Sequence, residues 1–195
     1  MAVRKSQLIA AGVFVAIGTI GVFVAGRLAP PATSQSSTSQ SAEAKRLAES
    51  EFTIVPEGDR SSFPAFAGST VDGADWNSAQ LTGIVTVVNL WASWCGPCEE
   101  EWPVLQDAAV RYTDVRWLGV NTMDRNTDAQ QFLAAHPSPY GHVHDPDASI
   151  MTRLHGVPNR TLPVTVILDT RARIAAWKSG PVTREQLDRG IAAVR

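Results

Sequence analysis

The feature that most constrains this chain is a junction. Ile84-Val85-Thr86-Val87-Val88-Asn89-Leu90 is a β-branched apolar run, and after four intervening residues it meets Cys95-Gly96-Pro97-Cys98. Such a run suits a strand buried on both faces, in the middle of an α/β sheet. Residues 98–112 then read as a helix, Val115 to Val120 as a strand, and Thr127 to His136 as a helix stopped by Pro137. Strand alternating with helix implies parallel crossovers. The last third changes character, because Val164 to Leu168 and Ile174 to Lys178 flank a short turn at Asp169 to Arg173, the pattern of an antiparallel pair. Thr183 and Gln186 are spaced as a capping box ahead of a helix from Arg184 to Val194. The predicted fold class is α/β, a mixed central sheet flanked by helices on both faces.

Two cysteines three apart in the first turn of a helix lie on one face about 5–6 Å apart, inside the Cα separation a disulfide requires. The bond can open and close without unfolding anything. The start of a helix also presents unpaired N–H groups and the positive end of its dipole, which favours thiolate over thiol at the first cysteine. Cys95 is therefore the expected nucleophile, and Cys98, one turn inside, the resolving thiol. Pro97 fits a first turn that has donors to spare, and Gly96 lets a substrate chain approach closely. An inert disulfide or a pair of core cysteines is the plain alternative. Against it, so small a loop constrains the unfolded chain weakly, and Cys-x-x-Cys at a strand-to-helix junction is a redox signal.

Charge and ligand counts narrow the chemistry. Among 195 residues, 17 basic and 19 acidic side chains leave a net charge of −2, with no basic footprint for nucleic acid. Two cysteines are too few for a zinc site built mainly of thiolates. His142 and His144 share a strand face by alternation alone, and His136 and His155 have no matched spacing, so no metal site is expected. Met123 and Met151 likewise lack a spacing that suggests copper.

Leu8 to Gly26 holds no charged residue over 19 positions. As a helix it would reach about 28 Å, close to the roughly 30 Å hydrocarbon core of a bilayer. A cleaved secretory signal usually has an apolar core of about 7–15 residues, so the length favours an uncleaved anchor, with Val24-Ala25-Gly26 a weak cleavage site. Arg4 and Lys5 precede the span, which puts the N-terminus in the cytoplasm. The expected organisation is a cytoplasmic segment at 1–7, a transmembrane anchor or signal at 8–26, a flexible Pro/Ser/Thr/Gln-rich linker at 27–50 and an extracytoplasmic domain at 51–195. Within that domain the globular unit is expected to begin at Phe63.

The stretch Val87-Val88-Asn89-Leu90-Trp91-Ala92-Ser93-Trp94-Cys95-Gly96-Pro97-Cys98-Glu99-Glu100-Glu101-Trp102-Pro103 resembles the thioredoxin superfamily, and within it the membrane-anchored, extracytoplasmic TlpA/ResA-like thiol-disulfide oxidoreductases. Phe63-Pro64-Ala65-Phe66 and Leu162-Pro163-Val164-Thr165-Val166-Ile167-Leu168-Asp169 extend the likeness to the C-terminus. The resemblance implies a cis proline at Pro163 facing the redox pair, with Pro158 the weaker competitor. It also implies a substrate-contacting set of Trp94, Gly96, Pro97, Leu162 and Pro163. Glu101 matches the branch's Cys-x-x-Glu-x-Pro pattern, so it is implied as the relay for the proton Cys98 must lose. Glu99 and Glu100 need no role beyond favouring the helix dipole. In cytoplasmic thioredoxins a buried aspartate stands where this chain has Asn89, which argues that Glu101 has taken over the proton work. Two departures stand out: Ala172 replaces the usual glycine in the turn after Asp169, so the turn must avoid positive φ or bear strain, and Pro158-Asn159-Arg160 reads as an insertion.

The resemblance thus implies a single-pass, membrane-tethered reductant of protein disulfides outside the cytoplasm, with no cofactor of its own. A transmembrane thiol carrier would re-reduce it, and cytochrome c maturation is the leading pathway, with apocytochrome c as a substrate. The alternative is a non-catalytic thioredoxin-fold adaptor or a copper metallochaperone using the same cysteines. A peroxide-reducing enzyme would normally set its attacking cysteine in a Thr-x-x-Cys context, which this chain lacks.

Overall fold

A computed structural model describes residues 50–158 and 161–195. Its strands and α-helices follow in the order β1 (Thr53–Ile54), β2 (Ala67–Ser69), β3 (Asp75–Asn77), β4 (Thr86–Trp91), α1 (Gly96–Arg111), β5 (Arg116–Thr122), α2 (Asn126–Ala135), β6 (His142–Asp145), β7 (Val164–Leu168), β8 (Ile174–Ser179) and α3 (Arg184–Val194). The sheet order is β1-β8-β7-β4-β5-β6, with β2 and β3 a separate hairpin. The run read as a central strand is β4, and all six of its residues are buried. It pairs parallel with β5 and antiparallel with β7. β6 continues the parallel side, and β8 and β1 the antiparallel side. The mixed sheet therefore stands as expected.

The distribution of helices does not. Leu105 and Ala108 of α1 and Leu187 and Ile191 of α3 pack with Val87, Trp117, Ile167 and Ala176. Ala129 and Phe132 of α2 pack with Trp91, on the same face of β4 as Val87 by strand alternation. All three α-helices therefore share one face. The steps β4 to β5 and β5 to β6 run the same way across the sheet, and right-handed crossovers put both connecting helices on the same side. The opposite face, with Val88, Leu90, Leu118, Val120 and Val166, is closed by Phe63, by short 3-10 turns at Ser78–Leu81 and Met151–Arg153, and by Ile150, Leu154 and Val157.

The ordered unit starts before Phe63, because Phe52 is in the core and β1 pairs with β8 through Thr53↔Trp177 and Ile54↔Ala176. A two-residue strand carries no periodicity to read. The three-residue strands of the β2–β3 hairpin carry none either, and β6 shows in the sequence only as the alternation that puts His142 and His144 on one face. In the turn after β7, Ala172 takes φ 57, so of the two outcomes the chain bears the strain. The predicted anchor, linker and cytoplasmic segment, and Asn159 and Arg160 of the insertion, lie outside the described residues. Among the described residues no helix is long and apolar enough to cross a membrane.

Candidate active site

The chain leaves β4 at Trp91 and turns into α1 within a few residues, the Cys95 N–H donating to the Ala92 carbonyl at 3.1 Å. Cys95 is the N-cap of α1. Its carbonyl accepts from the N–H groups of Cys98 at 3.0 Å and Glu99 at 3.2 Å, and its Sγ accepts from the Cys98 N–H at 3.2 Å. The sulfur thus sits where the orphan donors of the helix converge, the place that stabilises a thiolate. Cys95 and Cys98 are joined as a disulfide with Cα atoms 5.3 Å apart, within the range their spacing implied. Pro97 lies in the first turn, and no neighbour would meet a side chain at Gly96, leaving that approach open.

Asp124 fixes the approach to Cys95, a role that sequence reasoning missed. Its carboxylate accepts from the Ser93 N–H at 2.6 Å, Ser93 Oγ at 2.9 Å, Asn121 Nδ2 at 2.8 Å and the Arg125 N–H at 2.9 Å. Beside it Met123 takes φ 52, and its carbonyl accepts from Trp94 Nε1 at 3.0 Å. Trp94 is 60% exposed and Met123 42%. They border a groove of about 460 Å³ that continues past Asp124 and Arg125 to Pro146. Nothing in the sequence marks Asp124, because the link to Ser93 spans two elements.

On the other side of the pair, the Leu162–Pro163 peptide is cis, as the resemblance implied, and Leu162 packs against the cluster that holds Cys95, Cys98, Trp91 and Trp102. The Pro158 carbonyl instead accepts from Ser179 Oγ at 3.3 Å.

Behind the pair lies Glu101, three residues along α1 from Cys98 and 2% exposed. Its Oε1 accepts from Asn89 Nδ2 at 2.7 Å and its Oε2 from the Val182 N–H at 2.9 Å. Burial pushes its pKa up to about 8; the bonds from Val182 and Asn89 and the charge of Lys178 offset only part of that. Asn89 therefore serves the carboxyl as a hydrogen-bond donor, and Thr165 Oγ1 accepts the other Asn89 amide proton at 3.2 Å. Glu99 and Glu100 are exposed, as expected of residues with no task at the pair, and Glu99 meets His136 at 3.3 Å.

Strand register extends this polarity into a row beneath α1: Lys178↔Thr165, Thr165↔Asn89, Asn89↔Gly119 and Gly119↔His142. A Cβ at Gly119 would fall 1.9 Å from His142 Nδ1, so only glycine lets the imidazole lie over β5. There His142 accepts from Trp91 Nε1 at 3.1 Å and stacks on Trp102 with centroids 5.4 Å apart. Burial pulls its pKa down to about 4, keeping it neutral near pH 7. His144 bonds the Asp124 carbonyl instead, and among the described residues no cluster of three His, Cys, Asp or Glu is arranged to hold a metal. Of the expected site residues, the structure gathers Cys95, Cys98, Glu101 and Leu162 around one end of β4, with Trp94 on its rim.

A mixed sheet whose central strand delivers an N-capping cysteine, paired with a second cysteine in the first helical turn, defines a thioredoxin-like thiol-disulfide oxidoreductase. The chain belongs to the AhpC/TSA family, which it matches over residues 60–177. It is 30% identical over 127 residues to the sporulation thiol-disulfide oxidoreductase A of Bacillus subtilis, covering 63% of this chain and 74% of that one. It is 34% identical over 109 residues to the thiol:disulfide interchange protein HelX of Rhodobacter capsulatus, covering 56% of this chain and 60% of HelX. Among solved structures, a DsbF homologue from Corynebacterium diphtheriae superposes with a TM-score of 0.67 at 26% identity, over 74% of this chain and 94% of that one.

Proposed function

We propose that this protein is a membrane-tethered, extracytoplasmic reductant of protein disulfides, of the kind used in cytochrome c maturation. The observation that carries the reading is the pairing of an N-capping cysteine with a buried carboxyl one turn behind its partner cysteine. In the reduced protein Cys95 attacks a substrate disulfide as thiolate and a mixed disulfide forms. Cys98 gives its proton to Glu101 in its ionised form, a minor fraction near pH 7 that grows as pH approaches about 8, then attacks Cys95 and expels the reduced substrate, so two electrons pass to the substrate and the cystine is left. In the reverse half, Glu101, neutral below about pH 8, returns a proton to Cys98 as a thiol donor opens the cystine. Substrate chain lies against Trp94, Gly96, Pro97 and the Leu162–Pro163 segment. A transmembrane thiol carrier supplies the reducing equivalents, and apocytochrome c is a candidate substrate. The identity with interchange proteins supports exchange chemistry, and the uncharged stretch at 8–26 supports tethering.

The test is Cys98→Ser in cells. Exchange requires that substrates accumulate on Cys95 as adducts released by reductant, and that the unsubstituted protein reduce insulin. Absence of any adduct, together with no insulin reduction, overturns the reading.

A further inference from the structure

Lys178 is a fully buried lysine on β8 that the exchange chemistry does not explain. It stands in the same row as Thr165 and Asn89, on the sheet face beneath Glu101. Its Nζ donates to the Pro181 carbonyl at 2.9 Å and to the Ser179 carbonyl at 3.4 Å. The Val182 N–H, in turn, donates to Glu101 Oε2 at 2.9 Å. The carbonyl of Pro181 and the N–H of Val182 are the two ends of one planar peptide unit. An ammonium on the oxygen and a carboxylate on the N–H polarise that unit in the same sense, and each bond strengthens the other.

We infer that Lys178 is a positioning residue for Glu101, acting through the Pro181–Val182 peptide to hold the carboxylate ready to take the proton of Cys98. The inference rests on the proton-relay reading of Glu101 given above. The ammonium favours the ionised carboxyl, against the burial that disfavours it. Other groups facing this pair do not replace it. Glu51 acts on Lys178 rather than on Glu101, and the buried Tyr140 hydroxyl has its proton affinity raised by burial and by the charge of Glu101. His142 is neutral near pH 7.

The step can be watched alone. Reduced full-length protein is mixed with one equivalent of 5,5′-dithiobis(2-nitrobenzoate), and Cys95 releases a first thionitrobenzoate. Cys98 then passes its proton to Glu101 and attacks Cys95, the mixed S–S bond breaks, the Cys95–Cys98 bond forms, and a second thionitrobenzoate leaves with the electron pair. Lys178→Met and Lys178→Gln should raise the pH midpoint of the second release by about one unit, and Lys178→Arg should leave it within about 0.3 unit. Lys178→Gln keeps a donor for the Pro181 carbonyl and serves if thermal unfolding shows that Lys178→Met is not folded. In a Glu101→Gln background the Lys178 substitutions should move nothing. An unmoved midpoint in folded Lys178→Gln, or an equal move with and without Glu101, overturns the inference while leaving the relay in place. A second release unaffected by Glu101→Gln alone overturns the relay, and the inference with it.

Discussion

Two acidic side chains are buried at opposite ends of the central sheet, and the fold treats them in opposite ways. Asp169 follows β7, which pairs Leu168 with Thr86 at the start of β4, whereas Glu101 lies beneath the cysteines that follow β4. Asp169 is desolvated too, yet its pKa is lowered below the usual carboxylate range. The N–H groups of Arg171 at 2.9 Å and Arg173 at 3.0 Å, the Arg173 Nε at 2.9 Å and the Arg60 guanidinium at 3.2 Å outweigh its burial. Glu101 has two neutral donors and a cation that acts across a peptide. Deeper burial, with fewer donors and no direct charge contact, thus separates the raised carboxyl of Glu101 from the structural carboxylate of Asp169.

The largest expected effect breaks the redox end. Glu101→Gln leaves Cys98 to lose its proton to water, and the resolving step at pH 7 should slow by about 100-fold, the low end of what a positioned acid–base group contributes. The time course of the second thionitrobenzoate release checks it, and an unchanged rate would sink the contrast. The same variant has a stability signature. A carboxyl whose folded pKa is raised from 4.5 to about 8 stabilises the fold fully below its unfolded value, and that contribution is lost as pH rises through about 8. Denaturant midpoints of the variant should therefore gain on the parent protein between about pH 5 and pH 9.

Asp169→Asn should show the opposite pH behaviour at a smaller scale. Removing the charge leaves Arg60 and Arg173 without their shared partner and should cost about 2 kcal/mol at pH 7. A carboxylate with a depressed folded pKa stabilises above its unfolded value and loses that contribution as pH falls through the folded one. The gap between variant and parent should accordingly close below about pH 4. Exchange rates should not change, because the turn lies at the far end of the sheet from Cys95. A drop in turnover would mean the two ends are coupled.

How much of this was legible depended on whether a feature is local. β4, β7, α3 and the Thr183–Gln186 capping box follow from short patterns and match to within a residue or two. Cys95, Cys98 and Glu101 were reachable because their spacing on one helix is written in adjacent positions. Lys178, Thr165 and Gly119 were not, since they meet Glu101 and Asn89 only through strand register across β4, β5, β7 and β8. Asp124 was missed for the same reason, and the one-sided placement of the helices depends on sheet order, which no local pattern encodes.

The smallest effect sharpens the contrast from the structural end. Ala172 holds φ 57 in the β7–β8 turn, where its N–H donates to the Asp169 carbonyl at 2.9 Å and its carbonyl accepts from the Phe63 N–H at 2.9 Å. A Cβ in that region is disfavoured by about 1–2 kcal/mol, which the bonds gathered around Asp169 hold in place. Glycine removes the steric cost but adds chain entropy to the unfolded state, so Ala172→Gly should stabilise the protein by a net of about 0.5 kcal/mol. Thermal unfolding reads this as a rise of about 1–2 °C for a domain of this size. In Asp169→Asn the turn is no longer held, and the chain is free to relax the positive φ at Ala172 by shifting it. The gain from Ala172→Gly should then shrink, whereas an equal gain in both backgrounds would show that Asp169 does not enforce the strained turn.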